Sequence, residues 1–337
     1  MQFSPFSISR FPRIVYGSGS INEVPALAAG FGSKALLVTG KQSFYASPRW
    51  QSFTDALQTQ NISWSHFTVS GEPSPQLVDD AVAKSRNEAI DIVIAIGGGS
   101  VLDAAKAIAG LLPHGNSVMD HLEGVGKNVP YHGPSTPFIA VPTTAGTGSE
   151  ATKNAVLSVQ GPEGFKKSFR DECLIPEYAV IDPDLLMTCP AELVAADGMD
   201  AFTQLLESYV SLKANPFIDA LAWSGMKAVK QGFFAAFEGK EPEAAEGRGA
   251  MAYAALLSGI TLAQVGLGSV HGLASPLGAY FPIPHGVVCG TLVAVATEVN
   301  IKAMQEREPN NPALTKYAGS RGLLKFRITG SPGRALG

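Results

Sequence analysis

Apolar residues along the first half of the chain follow two different spacings. Short β-branched runs occupy Lys34–Gly40, Asp91–Ser100 and Pro137–Glu150, and each run leads into a turn that contains glycine. Between them, apolar residues recur at helical intervals in Pro75–Ala89 and Val101–Leu112. Strands that alternate with helices predict βαβ units and a largely parallel sheet. In such sheets the ligand crevice lies beyond the carboxyl ends of the strands, where all three turns fall.

The second half of the chain has a different pattern. Alanine- and leucine-rich stretches without strand alternation dominate from about Asp184 onward, at 185–214, 217–239 and 245–266. Alanine, leucine, methionine, glutamate and glutamine favour helices, so this half predicts an all-helical domain. A β-branched run meets a proline-containing turn at Val180–Leu186. We therefore expect an α/β domain of residues 1–183 and a helical domain of residues 184–337.

Composition narrows the class of protein. The chain has 337 residues, a length typical of two domains, and 45% of them are apolar while only 16% are charged. This composition can form a core, which excludes a disordered chain. The formal net charge of −4 gives no reason to expect nucleic acid or an anionic membrane as a partner.

The cysteines and the apolar segments indicate the cytoplasm. Cys173, Cys189 and Cys289 share no spacing typical of zinc sites, and an odd, sparse count suggests unpaired thiols in a reducing compartment. The first residues lack the apolar region of a signal peptide. Glycine, proline or histidine interrupts the apolar runs that approach the length of a membrane span. We expect a cytoplasmic protein without a membrane span.

Two polar turns have the composition of a phosphate-binding site. Gly97, Gly98, Gly99 and Ser100 lie between a strand and a helix, where glycines admit a phosphate and the helix N-terminus offers free N–H groups. This is neither GxGxxG nor a Walker A loop, and a plain strand–helix turn would also use such glycines. The second turn, Val141–Thr152, adds four threonines and a serine. Two such turns at adjacent strand ends favour a dinucleotide.

Polar residues in the helical half have the spacing of a metal site. Asp200 and Gln204 lie four residues apart, hence on one face of a predicted helix, and Asp197 is expected to cap its start. His271 and His285 each precede a glycine in breaks between apolar segments. Two imidazoles and a carboxylate suit Fe(II) or Zn(II), although histidines in apolar segments also occur as hydrogen-bonded core residues.

Four segments, in this order and spacing, resemble the iron-containing (group III) alcohol dehydrogenase family. They are GGGSVLDAAKAIA, PTTAGTGSEAT, DGMDAFTQLLESY and VHGLASPLGAYFPIPHG, and the resemblance extends over roughly Phe11–Tyr317. It implies a Rossmann-like α/β domain followed by an all-helical domain, the dehydroquinate synthase-like architecture. A cleft between the domains would hold NAD or NADP and a divalent metal, Fe(II) or Zn(II). The implied substrates are small alcohols, diols or aldehydes, and the implied assembly is a homodimer.

The resemblance also implies roles for individual residues. The implied cofactor contacts are Gly97, Gly98, Gly99, Ser100, Asp103, Thr143, Thr144, Thr147, Ser149 and Lys166. Asp200, His271 and His285 are the implied metal ligands and hence the catalytic residues. Gln204 stands where the fourth ligand is usually a histidine, and its carbonyl oxygen would bind a cation more weakly. The related glycerol dehydrogenases use only an aspartate and two histidines, so the metal site is expected to persist with an altered metal preference.

Two further departures from the family pattern concern mechanism and cofactor choice. Many members have a histidine, thought to relay a proton, at the position of Ser275. NAD-preferring members often have an aspartate at the position of Gly40, where it would repel the 2′-phosphate of NADP. Because Gly40 is followed by Lys41, with Ser43 nearby, the repulsion is removed and a cation is offered. We therefore treat the use of NADP as a hypothesis.

Three other functions are compatible with parts of the pattern. A maleylacetate-reductase-like enzyme would share the fold and the His-Gly motifs and work without metal, although its glycine turn usually differs. A dehydroquinate-synthase-like lyase would need a site richer in lysine and arginine. A non-catalytic relative would bind the nucleotide only, and Gln204 is compatible with that reading.

The end of the chain differs in charge from the rest. After Glu308 it contains five lysines and arginines and no acidic residue. Family members usually continue for several dozen residues beyond the ALTKYA-like segment. Here that segment is followed by GSRGLLKFRITGSPGRALG, whose glycines are typical of strands and turns. We interpret about the last 20 residues as a non-family ending, caused by a frameshift or truncation, and not as a nucleic-acid-binding arm.

Overall fold

Residues 5–324 are described by the structure, which is a computed structural model. The strands in this part of the chain are β1 (Arg13–Tyr16), β2 (Lys34–Gly40), β3 (Ser63–Val69), β4 (Ile92–Gly97), β5 (Phe138–Pro142), β6 (Asn154–Val159), β7 (Phe165–Arg170) and β8 (Tyr178–Ile181). Six of them form a parallel sheet in the order β1-β8-β5-β4-β2-β3. β6 and β7 form a separate antiparallel hairpin.

The helices divide between the two halves of the chain. Those that accompany the sheet are α1 (Val24–Ala29), α2 (Arg49–Thr59), α3 (Pro75–Ser85) and α4 (Gly99–Leu111). Those that follow β8 are α5 (Ala191–Tyr209), α6 (Pro216–Glu238), α7 (Glu243–Val265), α8 (Ser269–Tyr280), α9 (His285–Arg307) and α10 (Pro312–Leu324). No strand follows β8 within the described residues.

The sheet separates two hydrophobic cores because its central strands are buried on both faces. Every residue of β4 is buried, and its side chains alternate between the faces. Ile92, Ile94 and Ile96 pack with α1 and α2, whereas Val93 and Ala95 pack with α3 and α4. A third core lies among the helices α5 to α10. The parallel sheet with helices on both faces, followed by a helical half, confirms the predicted fold class.

The order of the strands creates a crevice at one edge of the sheet. β2 and β4 are neighbours, but the chain continues from β2 to β3 on one side and from β4 to β5 on the other. Such a reversal opens a ligand crevice beyond the carboxyl ends of the strands. Gly40, Gly97 and Pro142 are the last residues of β2, β4 and β5. The three glycine-containing turns therefore follow adjacent strand ends, as predicted.

The predicted capping role of Asp197 is wrong. α5 begins at Ala191, after an extended Pro190, so Asp197 lies inside the helix. The residues before Asp197 are mostly alanine, leucine and glutamate, which favour helix, and the proline fixes where that helix starts. Asp197 is therefore free to make tertiary contacts.

The prediction that the glycines after the ALTKYA segment lie in strands or turns is also wrong for those that the structure describes. α10 continues to Leu324, and Gly319 and Gly322 lie within it. Tyr317 and Ser320 are buried, so packing against the neighbouring helices outweighs the weak helix propensity of glycine. The remainder of the proposed non-family ending, residues 325–337, lies outside the described residues.

In the described part of the chain, α9 has the length and apolar composition that a membrane span requires. The pair α7 and α8, bent by 102° at their junction, would meet the same requirement if counted as one broken span. α9 packs against α5 and α8, and Val295 and Val299 lie on its exposed side. These are the contacts of a helix in a folded domain, and the expected absence of a membrane span stays a prediction.

The two halves of the chain touch where two glycine backbones meet. Gly148, in the turn after β5, has a left-handed conformation with φ of 60° and lies directly against Gly259 in the middle of α7. A Cβ atom at Gly259 would overlap the carbonyl group of Gly148. Only glycine allows this approach, which sets the distance between the threonine-rich turn and the helical half.

We therefore expect the substitution Gly259→Ala to lower the free energy of unfolding by about 1–3 kcal/mol, because overpacking forces the backbones apart. Gly249→Ala, in the same helix, is the matched control, since its Cβ would meet only the Tyr16 hydroxyl at 3.5 Å. There the better helix propensity of alanine should stabilise the protein by up to about 1 kcal/mol. Urea unfolding of both variants measures the difference, and equal stability of the two would contradict the close contact.

Candidate metal centre and cofactor-binding turns

The glycine turn and the threonine turn lie against each other. The backbone N–H of Thr143 donates to the carbonyl oxygen of Gly97 at 3.0 Å. A Cβ atom at Gly99 would clash with the side chain of Thr147, 2.7 Å away. The structure thus brings together the predicted cofactor residues of both turns, and Gly99 also makes room for a threonine.

A buried lysine of α4, the helix that follows the glycine turn, hydrogen bonds with the threonine turn. The ammonium group of Lys106, on α4, donates to Ser149 and Thr152 of the threonine turn and to the backbone oxygen of Asn154. The Ser149 hydroxyl also donates to the carboxylate of Asp103. Two predicted cofactor residues, Asp103 and Ser149, are therefore held by each other and by Lys106, which sequence analysis did not single out.

Gly40 and Ser100 lie on either side of the crevice. Gly40 ends β2, and a Cβ atom added there would lie 3.8 Å from the nearest atom, a methyl carbon of Val101. Ser100 is the second residue of α4 and is partly exposed. A side chain at position 40 would therefore fit sterically at the mouth of the crevice.

Lys166 lies on β7, and its ammonium group contacts Glu72 at 2.8 Å. Burial raises the pKa of the Asp103 carboxyl beside the glycine turn, and the charge of Lys166 is among the influences that oppose this rise. Burial lowers the pKa of His285 in the helical half, and the charge of Lys166 adds to that effect. The predicted cofactor residue Lys166 therefore lies close enough to influence both parts of the site.

Four side chains of the helical half, three of them buried and that of His285 partly exposed, converge on one point. They are Asp200 from α5, His271 from α8, and His285 and Cys289 from α9, and one donor atom from each lies within 4.8 Å of the others. The Asp200 Oδ1 atom is 3.1 Å from His271 Nε2 and 3.7 Å from His285 Nε2. The Cys289 Sγ atom is 3.7 Å from His271 Nε2 and 3.8 Å from His285 Nε2. We call these four residues the donor cluster.

A second carboxylate orients the first histidine. Glu207, two turns after Asp200 on α5, lies 2.6 Å from His271 Nδ1 and accepts the Val270 N–H through its other oxygen. The imidazole is therefore held with Nε2 directed at Asp200. A carboxylate on the outer nitrogen of a histidine is the usual support of a metal-ligating imidazole.

The electrostatics of the donor cluster favour positive charge. Burial opposes a charged His271, but hydrogen bonds with Asp200, Cys289 and Glu207 outweigh it and raise the pKa of His271 to about 12. The same imidazole keeps the pKa of Asp200 below its ordinary value despite burial. Burial lowers the pKa of His285, which keeps that ring in the neutral form that binds metal.

These residues fit a divalent cation. A carboxylate, two imidazoles and a thiol are all ligands that zinc and iron accept, and their donor atoms face one another in a buried space. A divalent cation would compete with the proton that His271 otherwise binds between two carboxylates. The predicted ligands Asp200, His271 and His285 are thus brought together.

Gln204 has a different environment from the other predicted ligands. Its Nε2 donates to Asp200 Oδ2 at 3.2 Å, and its Oε1 accepts a hydrogen bond from the Ser258 hydroxyl at 2.6 Å. Both ends of the amide are therefore engaged by protein groups. Gln204 supports Asp200 in this arrangement, and its carbonyl oxygen is directed at Ser258 of α7.

The donor cluster is connected to the threonine turn. A Cβ atom at Gly146 would clash with Asp197, so the turn lies directly on α5. Burial and the charge of Asp200 raise the pKa of Asp197 to about 7, while a hydrogen bond with Thr144 opposes the rise. Because Asp197 and Asp200 are one turn apart, the predicted cofactor residues of the threonine turn lie next to the donor cluster.

Sequence analysis missed several of these residues, although signals for two of them existed. Glu207 falls on the same helical face as Asp200 and Gln204, and Cys289 lies one helical turn after His285. The hydroxyl of Ser275, which stands at the position of the family's proton-relay histidine, donates to the backbone oxygen of His271.

Sequence comparisons agree with this geometry. The model of the family described as iron-containing alcohol dehydrogenase matches residues 12–183, and that of the Fe-containing alcohol dehydrogenase family, C-terminal, matches residues 194–313. Alcohol dehydrogenase 4 of Schizosaccharomyces pombe is 34% identical over 89% of this chain and 69% of its own length. The NADPH-dependent butanol dehydrogenase of Clostridium saccharobutylicum is 32% identical over 87% of this chain and 74% of its own length.

Comparison of structures gives the same result. A crystal structure of 1,3-propanediol oxidoreductase superposes with a TM-score of 0.83 at 31% sequence identity, and the match covers 97% of this chain and 82% of that one. Two family models together match most of the chain, and the relatives exceed 30% identity over most of its length. The chain therefore belongs to the iron-containing alcohol dehydrogenase family.

Proposed function

We propose that the protein is a metal-dependent, NAD(P)-linked alcohol dehydrogenase or aldehyde reductase that acts on small alcohols, diols or aldehydes by hydride transfer. One observation carries this proposal. The donor cluster and the two polar turns are joined through Asp197 and the threonine turn, so a metal-bound substrate and a dinucleotide would be neighbours.

The residues of the donor cluster would hold the cation and position the substrate. Asp200, His271 and His285 supply ligand atoms, and Glu207 fixes the orientation of His271. When bound, the cation would supply Lewis acidity toward the substrate oxygen, and the nicotinamide would exchange the hydride. Asp200, His271 and Cys289 are buried, which strengthens the electrostatic effect of these groups.

The residues of the two turns would bind and orient the dinucleotide. The N–H groups at the start of α4, from Gly99 and Ser100, are available for the pyrophosphate. Thr144 hydrogen bonds with Asp197, one turn before Asp200, so its hydroxyl would hold the nicotinamide end, whereas Thr147 packs against Gly99 of the glycine turn. Lys106, Asp103 and Ser149 keep the turns at a fixed distance from each other. Fixed geometry between cofactor and substrate accounts for much of the rate of such reactions.

The different roles of the two halves of the chain suggest how the whole molecule is organised. We propose that residues 1–183 form the dinucleotide-binding domain and residues 184–337 the domain that binds metal and substrate. We also propose a cytoplasmic homodimer. The three cysteines are unpaired, which suits a reducing compartment, and light scattering of the purified protein would measure the oligomeric state.

Removal of the metal tests the proposal against a metal-independent reductase. We expect about one zinc or iron per chain, and chelation should lower the rate of NAD(P)H oxidation with short aldehydes by at least about a hundredfold, because Lewis-acid stabilisation contributes several kcal/mol. Zn(II) or Fe(II) should restore the rate. A preparation that keeps full activity after complete metal removal would instead be a metal-independent reductase, and one without activity but with cofactor binding would be a nucleotide-binding relative.

The orientation of His271 by Glu207 gives a second test. Glu207→Gln should weaken metal binding by about 10- to 100-fold, because the neutral amide holds the imidazole less firmly. Glu192→Gln is the matched control, since Glu192 lies exposed in the first turn of the same helix. Competition with a chromogenic chelator measures both affinities. Unchanged affinity in Glu207→Gln would show that the carboxylate does not support the ligand.

The absence of an acidic side chain at Gly40 gives a test of cofactor choice. Gly40→Asp should lower the catalytic efficiency with NADPH by at least about tenfold relative to NADH, because the carboxylate would face the 2′-phosphate. Gly40→Ala is the control, since it adds an uncharged Cβ atom in ordinary van der Waals contact with Val101. The ratio of the two efficiencies is the measurement. A wild-type enzyme with a strong preference for NADH would contradict the NADP hypothesis.

A further inference from the structure

We propose that Cys289 is the fourth metal ligand of this protein, so that the site is an aspartate, two histidines and a thiolate and favours zinc over iron. The proposal rests on the proposed function in one respect, namely that the donor cluster binds a divalent cation. It adds a ligand that the family resemblance does not supply.

The position of Cys289 carries the argument. The side chain is fully buried and unpaired, and it lies one helical turn after His285 on the same face of α9. Its Sγ atom is 3.7 Å from His271 Nε2 and 3.8 Å from His285 Nε2, the two nitrogen atoms that also face Asp200. The sulfur therefore faces the same space as the three expected ligand atoms.

The position of Gln204 explains why it does not serve as the fourth ligand. Its Nε2 faces Asp200 Oδ2, and its Oε1 accepts from Ser258, whose hydroxyl also lies 2.8 Å from the backbone oxygen of Ala255. Turning the amide round would place its oxygen against the carboxylate of Asp200, which is repulsive. The carbonyl oxygen of Gln204 is thus directed away from the donor cluster.

The chemistry of the four donors determines the metal. The thiol of Cys289 would lose its proton to the solvent as the metal–sulfur bond forms, because only a thiolate is a ligand. Asp200 and the thiolate together would carry two negative charges, which match a divalent cation with two neutral imidazoles. Thiolate is a soft ligand that favours zinc, whereas the amide oxygen expected at Gln204 would have favoured a harder cation.

Replacement of the native metal by Co(II) tests this ligand directly. A cobalt–thiolate bond produces an intense charge-transfer absorption in the near ultraviolet, which oxygen and nitrogen ligands do not. We expect this absorption in the whole protein and in the double variant Cys173→Ser/Cys189→Ser, in which Cys289 is the remaining cysteine of the three. We expect it to disappear in Cys289→Ser, with circular dichroism as the check on folding.

Metal affinity gives a second readout that is independent of activity. Cys289→Ser should bind zinc at least about tenfold more weakly, since even the loss of a supporting partner has an effect of that size. Gln204→Leu should keep the charge-transfer absorption, because Gln204 does not supply a ligand. Cys189→Ser is the matched control, as Cys189 is half-buried outside the donor cluster.

The outcomes separate this inference from the proposed function. If the double variant binds one Co(II) per chain without charge-transfer absorption, the thiolate is not a ligand and the inference is wrong, while metal-dependent function stands. If the folded protein binds no Co(II), both fail. Because the double variant retains Cys289, the result does not depend on whether Cys289→Ser folds.

Discussion

Two carboxylates buried around a single histidine determine how this site is built. Asp200 and Glu207 occupy one face of α5, and His271 lies between them with one ring nitrogen on each. Buried carboxylates are costly unless positive charge and hydrogen bonds surround them. The high pKa of His271 shows how strongly the pair favours a cation at this position. Folding of the helical half is therefore coupled to whatever positive charge occupies the cluster, a proton or a divalent metal.

The remaining contacts hold the cofactor turns at a fixed position relative to this cluster. Lys106 ties the start of the hairpin and the threonine turn to α4, and the glycine pair Gly148 and Gly259 sets the distance between that turn and α7. Ser258, the residue before Gly259, donates to Gln204 and so links the same contact to Asp200. A displacement of α7 would shift the threonine turn and the support of Asp200 together. The threonine turn and the donor cluster are thus coupled through one segment of one helix.

The sequence patterns predicted those structural elements that depend on residues close together in the chain. The run Lys34–Gly40 is apolar at residues 35–38 and ends in glycine, and β2 has those bounds. Asp200, His271 and His285 could be proposed because they lie in segments that resemble the motifs of the family. The partners Lys106 and Ser149 are 43 residues apart, and Gln204 and Ser258 are 54 apart, so no local period relates them. The role of Cys289 depends on how α9 packs against α5 and α8, which a spacing between cysteines does not reveal.

The neighbours of Gln204, which stands where the family motif usually has a histidine, show how this side chain contributes to the site. A glutamine at this position leaves Asp200 Oδ2 in need of a donor, and the amide Nε2 provides one, so that Oδ1 alone faces the two histidines. Ser258 fixes which end of the amide faces the carboxylate, since its hydroxyl hydrogen bonds with the oxygen. Gln204 and Ser258 therefore act as a unit that orients Asp200. Both ends of the Gln204 amide are thus engaged by protein groups, and the thiol of Cys289 is a further donor within the cluster.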